Sequence, residues 1–501
     1  MSEFPNPVGG WQLQDLRSRQ AIKIGMEGNV GGDQVAQDPA RQIAGNQDCV
    51  AWNDFPEDGA VQDVDFAARV GGDGAFSQGK MDFMAGLGKQ IRDGEDSHTW
   101  TQQGVSHVIR VEEPDAPFHE RRNVRPSTCD RAGTEWIGLP FRRMEHEAAR
   151  IVALYLPQYH RVRENDIWWG EGFTEWTNAR KGRRWFPWQY QPHEPSELGY
   201  YDLTDPAIRD RQAQLAMEHA VGGFAYYHYW FEGKRLLERP FQEVLESKRP
   251  DFPFCLCWAN ESWTGAWGGQ ERRILQEQTY SVDDHRRHAE QLADVLKDPR
   301  SIKVDGRPVF LVYRASRIPE VARATAIWRH VWKEHGLGDV LLARVESGPL
   351  EMDDPRPLGF DASMEFQPAW RDMGKPDNWL FRYANRAVGR RIPAVHDYAE
   401  LVDRMLDRRD PVWPRFPGLT PMWDNTCRRN GRGLVLKNAT PQLYGRWLAG
   451  CLERASRLPF KDPLVFVNAW NEWGEGCHLE PDLKHGRAFL EETARRAKAR
   501  G

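Results

Sequence analysis

The chain lacks any apolar run approaching the roughly 20 residues that a membrane-spanning helix requires. It also lacks a charge of one sign. Lys and Arg total 68 against 73 Asp and Glu, a net charge of −5 with no basic or acidic block. This argues against a nucleic-acid or membrane-surface partner recruited by bulk charge. The opening "MSEFPNPVGGWQLQ" has neither the basic nor the apolar stretch of an export signal. Cysteine is scarce: seven are scattered with no CxxC pair, so no disulfide framework is indicated and a reduced, cytoplasmic protein is expected. No GxGxxG follows the first strand candidate, and no HExxH or Cys/His cluster is present. Neither a cofactor nor a metal is therefore expected.

Residues 1–143 lack more than the rest. They hold four leucines and no tyrosine, and stretches such as "GNVGGDQVAQDPARQIAGNQ" follow neither a helical nor a strand period. Such composition buries too little apolar surface to offset chain entropy. The segment is expected to be disordered, or to precede a true start at Met144; a small Gly-rich accessory domain is the alternative. A chain starting at Met144 is expected to melt cooperatively near the full-length midpoint. Its insolubility beside a soluble full chain would overturn that expectation.

From 151 onward short apolar runs alternate with helical stretches, which makes 144–501 one domain. The strand candidates are "IVALYLPQ" (151–158), "GFAYYHYWF" (223–231), "FPFCLCWAN" (252–260), "PVFLVYR" (308–314), "VLLARVES" (340–347), "FDASMEFQ" (360–367), "LTPMWDN" (419–425) and "PLVFVNAW" (463–470). Asp205-Pro206 and Ser281 with Asp284 mark helix starts. The fifth connection is short and its helix weakly signalled. Eight strands alternating with helices predict an α/β fold, a (β/α)8 barrel. A doubly wound sheet competes, but usually announces itself by a Gly-rich first turn.

In such barrels the active site lies where the strands finish. Here they finish in Gln158-Tyr159-His160, His228-Tyr229-Trp230, Asn260-Glu261, Tyr313-Arg314, Glu346, Glu365-Phe366-Gln367, Trp423-Asp424-Asn425 and Trp470-Asn471-Glu472. Eighteen of the 22 tryptophans fall after residue 150. The first loop, 160–203, gathers Trp168, Trp169, Glu175, Trp176 and further aromatics with little strand or helix pattern. Aromatic faces beside carboxylate, amide and guanidinium groups suit a sugar; a hydrophobic lid packed on the barrel is the plainer reading.

Glu472 and Glu475 stand three apart after strand eight, with Gly474 between them permitting an unusual turn. In a helical turn they share a face; on an extended strand they do not. Two carboxylates in one cleft are the usual equipment for cleaving a glycosidic bond. The alternative is an ion pair with Arg314 or Arg428. The candidate substrate contacts are Tyr159, Trp168, Trp169, Glu175, Trp176, His228, Trp230, Asn260, Glu261, Arg314, Glu365, Trp423, Asp424, Asn425, Trp470, Asn471 and Trp473, with Arg428 close behind Asp424. Cys255 and Cys257 alternate on one strand and read as small buried side chains.

"YLPQYH", "NDIWWGEGFTEWTN", "YQPHEPSELGYYDL", "YYHYWFEGKRLLERP", "DFPFCLCWANESWT", "GRPVFLVYR" and "NAWNEWGEGCHLEPD" occur in order. Together they resemble the WbsX-type proteins, glycoside hydrolase family 99-like proteins of bacterial polysaccharide gene clusters that are often labelled glycosyltransferases. The resemblance covers 151 to about 495. It implies a barrel acting on an oligo- or polysaccharide, in polysaccharide or lipopolysaccharide assembly. In family 99 itself, retaining endo-α-mannosidases and mannanases, the strand-eight motif reads Glu-Trp-His-Glu. The first Glu deprotonates the sugar 2-hydroxyl, which attacks C1 to give a 1,2-anhydro sugar, and the second is acid, then base. Glu472 and Glu475 match those positions, while Gly474 stands where that family has His. Two other classes remain: a glycosyltransferase using an activated sugar, and a catalytically silent sugar-binding barrel. The Asp-x-Asp triplet noted for a nucleotide-sugar transferase, Asp63-Val64-Asp65, lies in the leader.

Overall fold

The computed structural model describes residues 149–265 and 270–499, together with an antiparallel pair formed by Ser97–Gln102 and Val105–Arg110. Apart from that pair, the leader expectation, Met144 and the Asp63-Val64-Asp65 triplet lie outside the described residues.

Eight parallel strand positions form a (β/α)8 barrel. They are β1 Arg150–Tyr155, β2 Phe224–Phe231, β3 Phe254–Trp258, β4 Arg307–Val312, β5 Leu341–Glu346, β6 Ala362–Glu365, β7 in two pieces, and β8 Leu464–Val467. Each of β1 to β6 pairs with the next, and β8 pairs with β1 through Val465 opposite Ile151. Strand seven differs from its expected place at 419–425. Its pieces are Arg415–Phe416, which pairs with β6, and Gly418–Leu419, which pairs with β8. Pro417 between them has no N–H to give the ladder, so the strand changes partner there. Gly418 is required by the close approach to β6: a Cβ on it would lie 1.9 Å from the Glu365 carbonyl oxygen. Residues 420–425 are a buried loop instead of a strand.

Alternation decides which side chains fill the barrel. Val152, Leu154, Ala225, Cys255, Cys257, Val309, Leu311, Ala343, Val345, Met364, Phe416 and Phe466 pack as one cluster inside it, all 2% exposed or less. The alternate residues pack outward against the helices. The helices are α1 Arg163–Trp169 and α2 Glu175–Arg180 in the first loop, α3 Pro206–Glu218, α4 Arg239–Ser247, α5 Val282–Lys297, α6 Val321–Glu334, α7 Trp379–Ala387, α8 Tyr398–Leu406, α9 Thr426–Arg429, α10 Pro441–Ala455 and α11 Ala488–Lys498. Asp205 caps α3 through the Ala207 N–H and Ser281 caps α5 through the Asp284 N–H, as their sequences predict. The fifth connection carries only the 3-10 turns Pro349–Glu351 and Arg356–Leu358.

Candidate active site

Beyond β8 the chain forms a small antiparallel pair, Asn471–Glu472 with Cys477–His478, around the 3-10 turn Trp473–Glu475. Gly476, at φ 54°, closes the turn in the left-handed region. Glu472 and Glu475 therefore stand at its two ends, at the C-terminal end of the barrel. Four of the expected contacts hold this turn. The Asn471 amide accepts from Leu156 N–H at 2.8 Å and donates to the Leu156 carbonyl at 3.0 Å. The Tyr159 hydroxyl donates to the Asn471 carbonyl and accepts from Trp473 N–H at 3.1 Å. The Trp473 indole donates to Glu480 Oε2 at 2.7 Å and stacks on His478 at 3.7 Å. Trp470 packs on Phe224 at 4.9 Å.

Arg428 organises the centre. It sits on α9, whose start is fixed by Asp424 accepting from Thr426 N–H and Oγ1 and from Gln189 Nε2, while Asn425 Oδ1 accepts from Leu434 N–H. From there Arg428 Nε donates to Glu175 Oε1 at 2.7 Å, Nη2 to Glu472 Oε2 at 2.9 Å, and Nη1 pairs with Glu475 Oε1 at 2.9 Å. Loops after β1, β7 and β8 thus meet at one guanidinium facing three carboxylates. The Glu175 side chain is fully buried, that of Glu472 is 8% exposed and that of Glu475 23%. Burial pushes the Glu472 carboxyl up to about 8 against the pull of Arg428, and the charges of Glu475 and Glu175 add to the rise. Glu475 is raised by burial and by Glu175, again against Arg428. Burial opposes the charge on Arg428, yet the three carboxylates hold it firmly protonated. The ion pair with Arg428 is the one formed; Arg314 pairs instead with Glu261, at 2.9 Å.

Gly474 gives this cluster its room. A Cβ there would stand 1.8 Å from Glu175 Oε1 and 2.6 Å from Arg428 Nε. Gly474→Ala is expected to expel Glu175 from the guanidinium and to destabilise the fold by about 1–3 kcal/mol. Chemical denaturation checks the second effect.

Other expected contacts divide by face. His228, Trp230 and Glu365 occupy outward positions of β2 and β6, so they meet the helix layer instead of the barrel mouth. His228 Nε2 lies 3.0 Å from His288 Nε2, and the Trp230 indole stacks on His288 at 4.8 Å while donating to Asp284. Glu365 is bound by Arg454 at 2.8 and 2.9 Å, with Arg415 and Arg408 alongside. Although burial opposes it, these arginines hold its carboxyl down at about 2. Tyr227 and Tyr229 occupy the inward positions beside His228 and Trp230, and Tyr227 stands with Tyr313 and Phe366 in one run of aromatics. Tyr227 lies 6.3 Å from Tyr313, and Tyr313 5.3 Å from Phe366. After burial, the charge of Glu472 contributes to raising the Tyr229 hydroxyl. A period of two counted along "FAYYHYWF" was the signal for them.

Asn260 stitches two strand ends, exchanging 2.8 Å bonds with the main chain of Arg314. Trp423 is buried edge-on to Trp370 at 5.5 Å. In the first loop, Trp168 meets Trp263 at 5.7 Å and Trp169 meets Phe173 at 5.8 Å, both half-buried. A cleft of about 450 Å³ is lined by Tyr159, Trp176, Arg180, Tyr200 and Asp202, among others. Trp176 is nonetheless only 5% exposed, donates to the Tyr201 carbonyl at 2.7 Å and packs on Tyr159 and Trp473. Trp176→Ala is expected to cost about 3–5 kcal/mol of stability. A melt unchanged from wild type would show that the indole is not part of the core.

Among solved structures, the GH99 endo-α-mannosidase from Bacteroides thetaiotaomicron, in complex with bis-tris-propane, is 15% identical over 70% of this chain and 97% of its own, with a TM-score of 0.44. A glycoside hydrolase-like protein is 12% identical over 70% of this chain and 94% of its own, at 0.46. The protein WxcX, described as uncharacterized, from two Xanthomonas campestris pv. campestris strains (B100 and ATCC 33913) is 41% identical over 347 residues, 69% of this chain. The chain spans about half the length of these curated relatives, 49%. Residues 151–493 match the family described as Glycosyltransferase WbsX. That match runs from within β1 into α11 and takes in both glutamates, and the chain belongs to the WbsX family.

Proposed function

We propose that this protein breaks or transfers glycosidic bonds, with Glu472 and Glu475 as its working pair and an oligo- or polysaccharide of bacterial polysaccharide or lipopolysaccharide assembly as its substrate. The observation that carries this reading is the convergence of Glu175, Glu472 and Glu475 on Arg428 at the barrel mouth. One cation facing three carboxylates, two of them buried and one half-buried, leaves an excess negative charge, so the cluster retains a proton near neutrality. One acid and one base in a single site are what glycosidic chemistry requires.

In the free protein the deeper Glu472 keeps that proton. Glu475 is the more exposed of the two, so a bound sugar would cover it, add to its desolvation and draw the proton across. Glu475 then donates to the departing glycosidic oxygen. Glu472, ionised, takes the proton of the sugar 2-hydroxyl, whose oxygen attacks C1 as the glycosidic bond breaks. Water or an acceptor hydroxyl, deprotonated by Glu475, then attacks C1 as the C1–O2 bond of the anhydro sugar breaks, Glu472 returns its proton to O2, and the product has net retention. Two carboxylates held on adjacent nitrogens of one guanidinium accord with the short separation of retaining sites. Tyr227, Tyr229 and Tyr313 offer aromatic surface to the sugar.

The family's description favours a second reading, a glycosyltransferase drawing on an activated sugar. Incubation with defined oligosaccharides, α-mannosides first, separates the two. New reducing ends support hydrolysis. Products that appear only when an activated donor is supplied support transfer. Absence of both, with sugar still bound, would overturn the catalytic reading in favour of a binding barrel.

A further inference from the structure

Behind the glutamate turn lies a buried group that the sequence pattern did not announce. His193 Nδ1 is 2.9 Å from His478 Nε2, and His478 Nε2 is 3.9 Å from Asp482 Oδ2. The ligand atoms of all three lie within 4.8 Å of one another, and the three side chains are buried. His485 Nδ1 is a further 3.2 Å from Asp482 Oδ2. We propose that His193, His478 and Asp482 form a structural binding site for a zinc-like divalent cation, with His485 or a water as fourth ligand.

Donor type is the first argument. Two imidazoles and a carboxylate, with a third imidazole in reach, form a borderline-soft N/O set that suits Zn²⁺ over Mg²⁺ or Ca²⁺. Spacing is the second. Bonds of about 2.0–2.2 Å in a tetrahedron place ligand atoms roughly 3.3–3.6 Å apart, and the contacts of 2.9, 3.2 and 3.9 Å bracket that value. The third is orientation. His478 Nδ1 is 3.0 Å from the Glu480 carbonyl, which can only accept. Nδ1 therefore carries the hydrogen, and in the neutral ring Nε2 presents its lone pair. That lone pair lies 2.9 Å from His193 Nδ1 and 3.9 Å from Asp482 Oδ2, so a cation among the three would take the lone pair that an N–H of His193 otherwise fills. A carbonyl on the far nitrogen is also the usual partner of a metal-bound histidine.

The backbone already places these groups. Leu483 N–H donates to the Glu194 carbonyl at 2.9 Å and Ser196 N–H to the Pro481 carbonyl at 3.0 Å, zipping the His193 segment to the Asp482 segment. The cation would fasten the first loop, which carries Glu175, to the strand-eight turn, because His478 lies under Trp473. Its part is to position the carboxylates, not to touch the sugar.

The test uses the untagged full-length chain, stripped with a chelator and titrated with Zn²⁺ and separately with Co²⁺. One equivalent should bind, Co²⁺ should give the intense visible bands of tetrahedral coordination, and Zn²⁺ should raise the melting midpoint. His193→Ala and Asp482→Asn should each weaken binding roughly 10²-fold or more. A faint octahedral cobalt spectrum with no zinc-induced rise in the midpoint would overturn the site. So would stoichiometric binding of wild-type strength in both variants. Should a variant fail to fold, the cobalt spectrum of the unaltered chain still decides.

Discussion

Glu472→Gln is expected to lower turnover of every glycoside by roughly 10²–10⁴-fold, because the 2-hydroxyl then has no base whatever the leaving group. Glu475→Gln should show a loss as large on unactivated oligosaccharides and a much smaller one on aryl glycosides whose leaving group departs without protonation. The comparison is internal to each variant, so it separates the two roles even when both enzymes are slow. The same two substrates, followed against pH, read the proton sharing. A carboxyl held near 8 in the free protein places the loss of the acid form on the alkaline limb of kcat/KM. Equal losses on both substrate types in both variants would remove the acid and base assignments.

Arg428→Met is expected to cost about 3–5 kcal/mol, since it leaves three carboxylates around an uncharged side chain. The loss should grow with pH. Glu472 would ionise near 4.5 in the unfolded chain but near 8 in the fold. Between those values the folded state holds the extra proton, so the contribution of this group is fully present below 4.5 and is lost as the pH rises through 8. Removing Arg428 takes away the counter-charge that limits this loss. Urea denaturation of wild type and variant at pH 5 and pH 8 checks the sign; a variant more stable at pH 8 than at pH 5 would contradict it.

The barrel was legible in the sequence because seven of its strands are apolar runs bounded by recognisable helix starts. The seventh was misplaced for a physical reason. "LTPMWDN" has the apolar content of a strand, yet Pro421 cannot donate to a ladder, while the true pieces are short and contain Gly418. That Glu472 and Glu475 stand together at one turn was legible from their spacing. His228, Trp230 and Glu365 stand at strand ends but on the outward face, which a strand-end pattern alone does not separate from the inward face of Tyr227 and Tyr229. Arg428 was visible as a neighbour of Asp424 and as a possible ion-pair partner of the two glutamates, and that pair is formed. That it gathers Glu175, 253 residues distant, depends on loop packing that no local pattern encodes. His193 and His478 are likewise 285 positions apart.

The interruption at Pro417 gives the cylinder a latch. Elsewhere neighbouring strands share ladders of several residues, but here two-residue pieces hold β6 on one side and β8 on the other. Opening should therefore begin at this seam, and the strand amides flanking it, such as Phe466, should exchange with solvent sooner than those between β2 and β3. The chain leaving the second piece reaches Arg428 within ten residues, and Arg428 grips glutamates anchored after β8 and β1, across the short Gly418–Leu419 ladder. The charge cluster thus works as a clasp between strand seven and β8. A barrel that breathes at this ladder draws Arg428 away from Glu472 and Glu475 in one movement, and a ligand that holds those loops together shuts it.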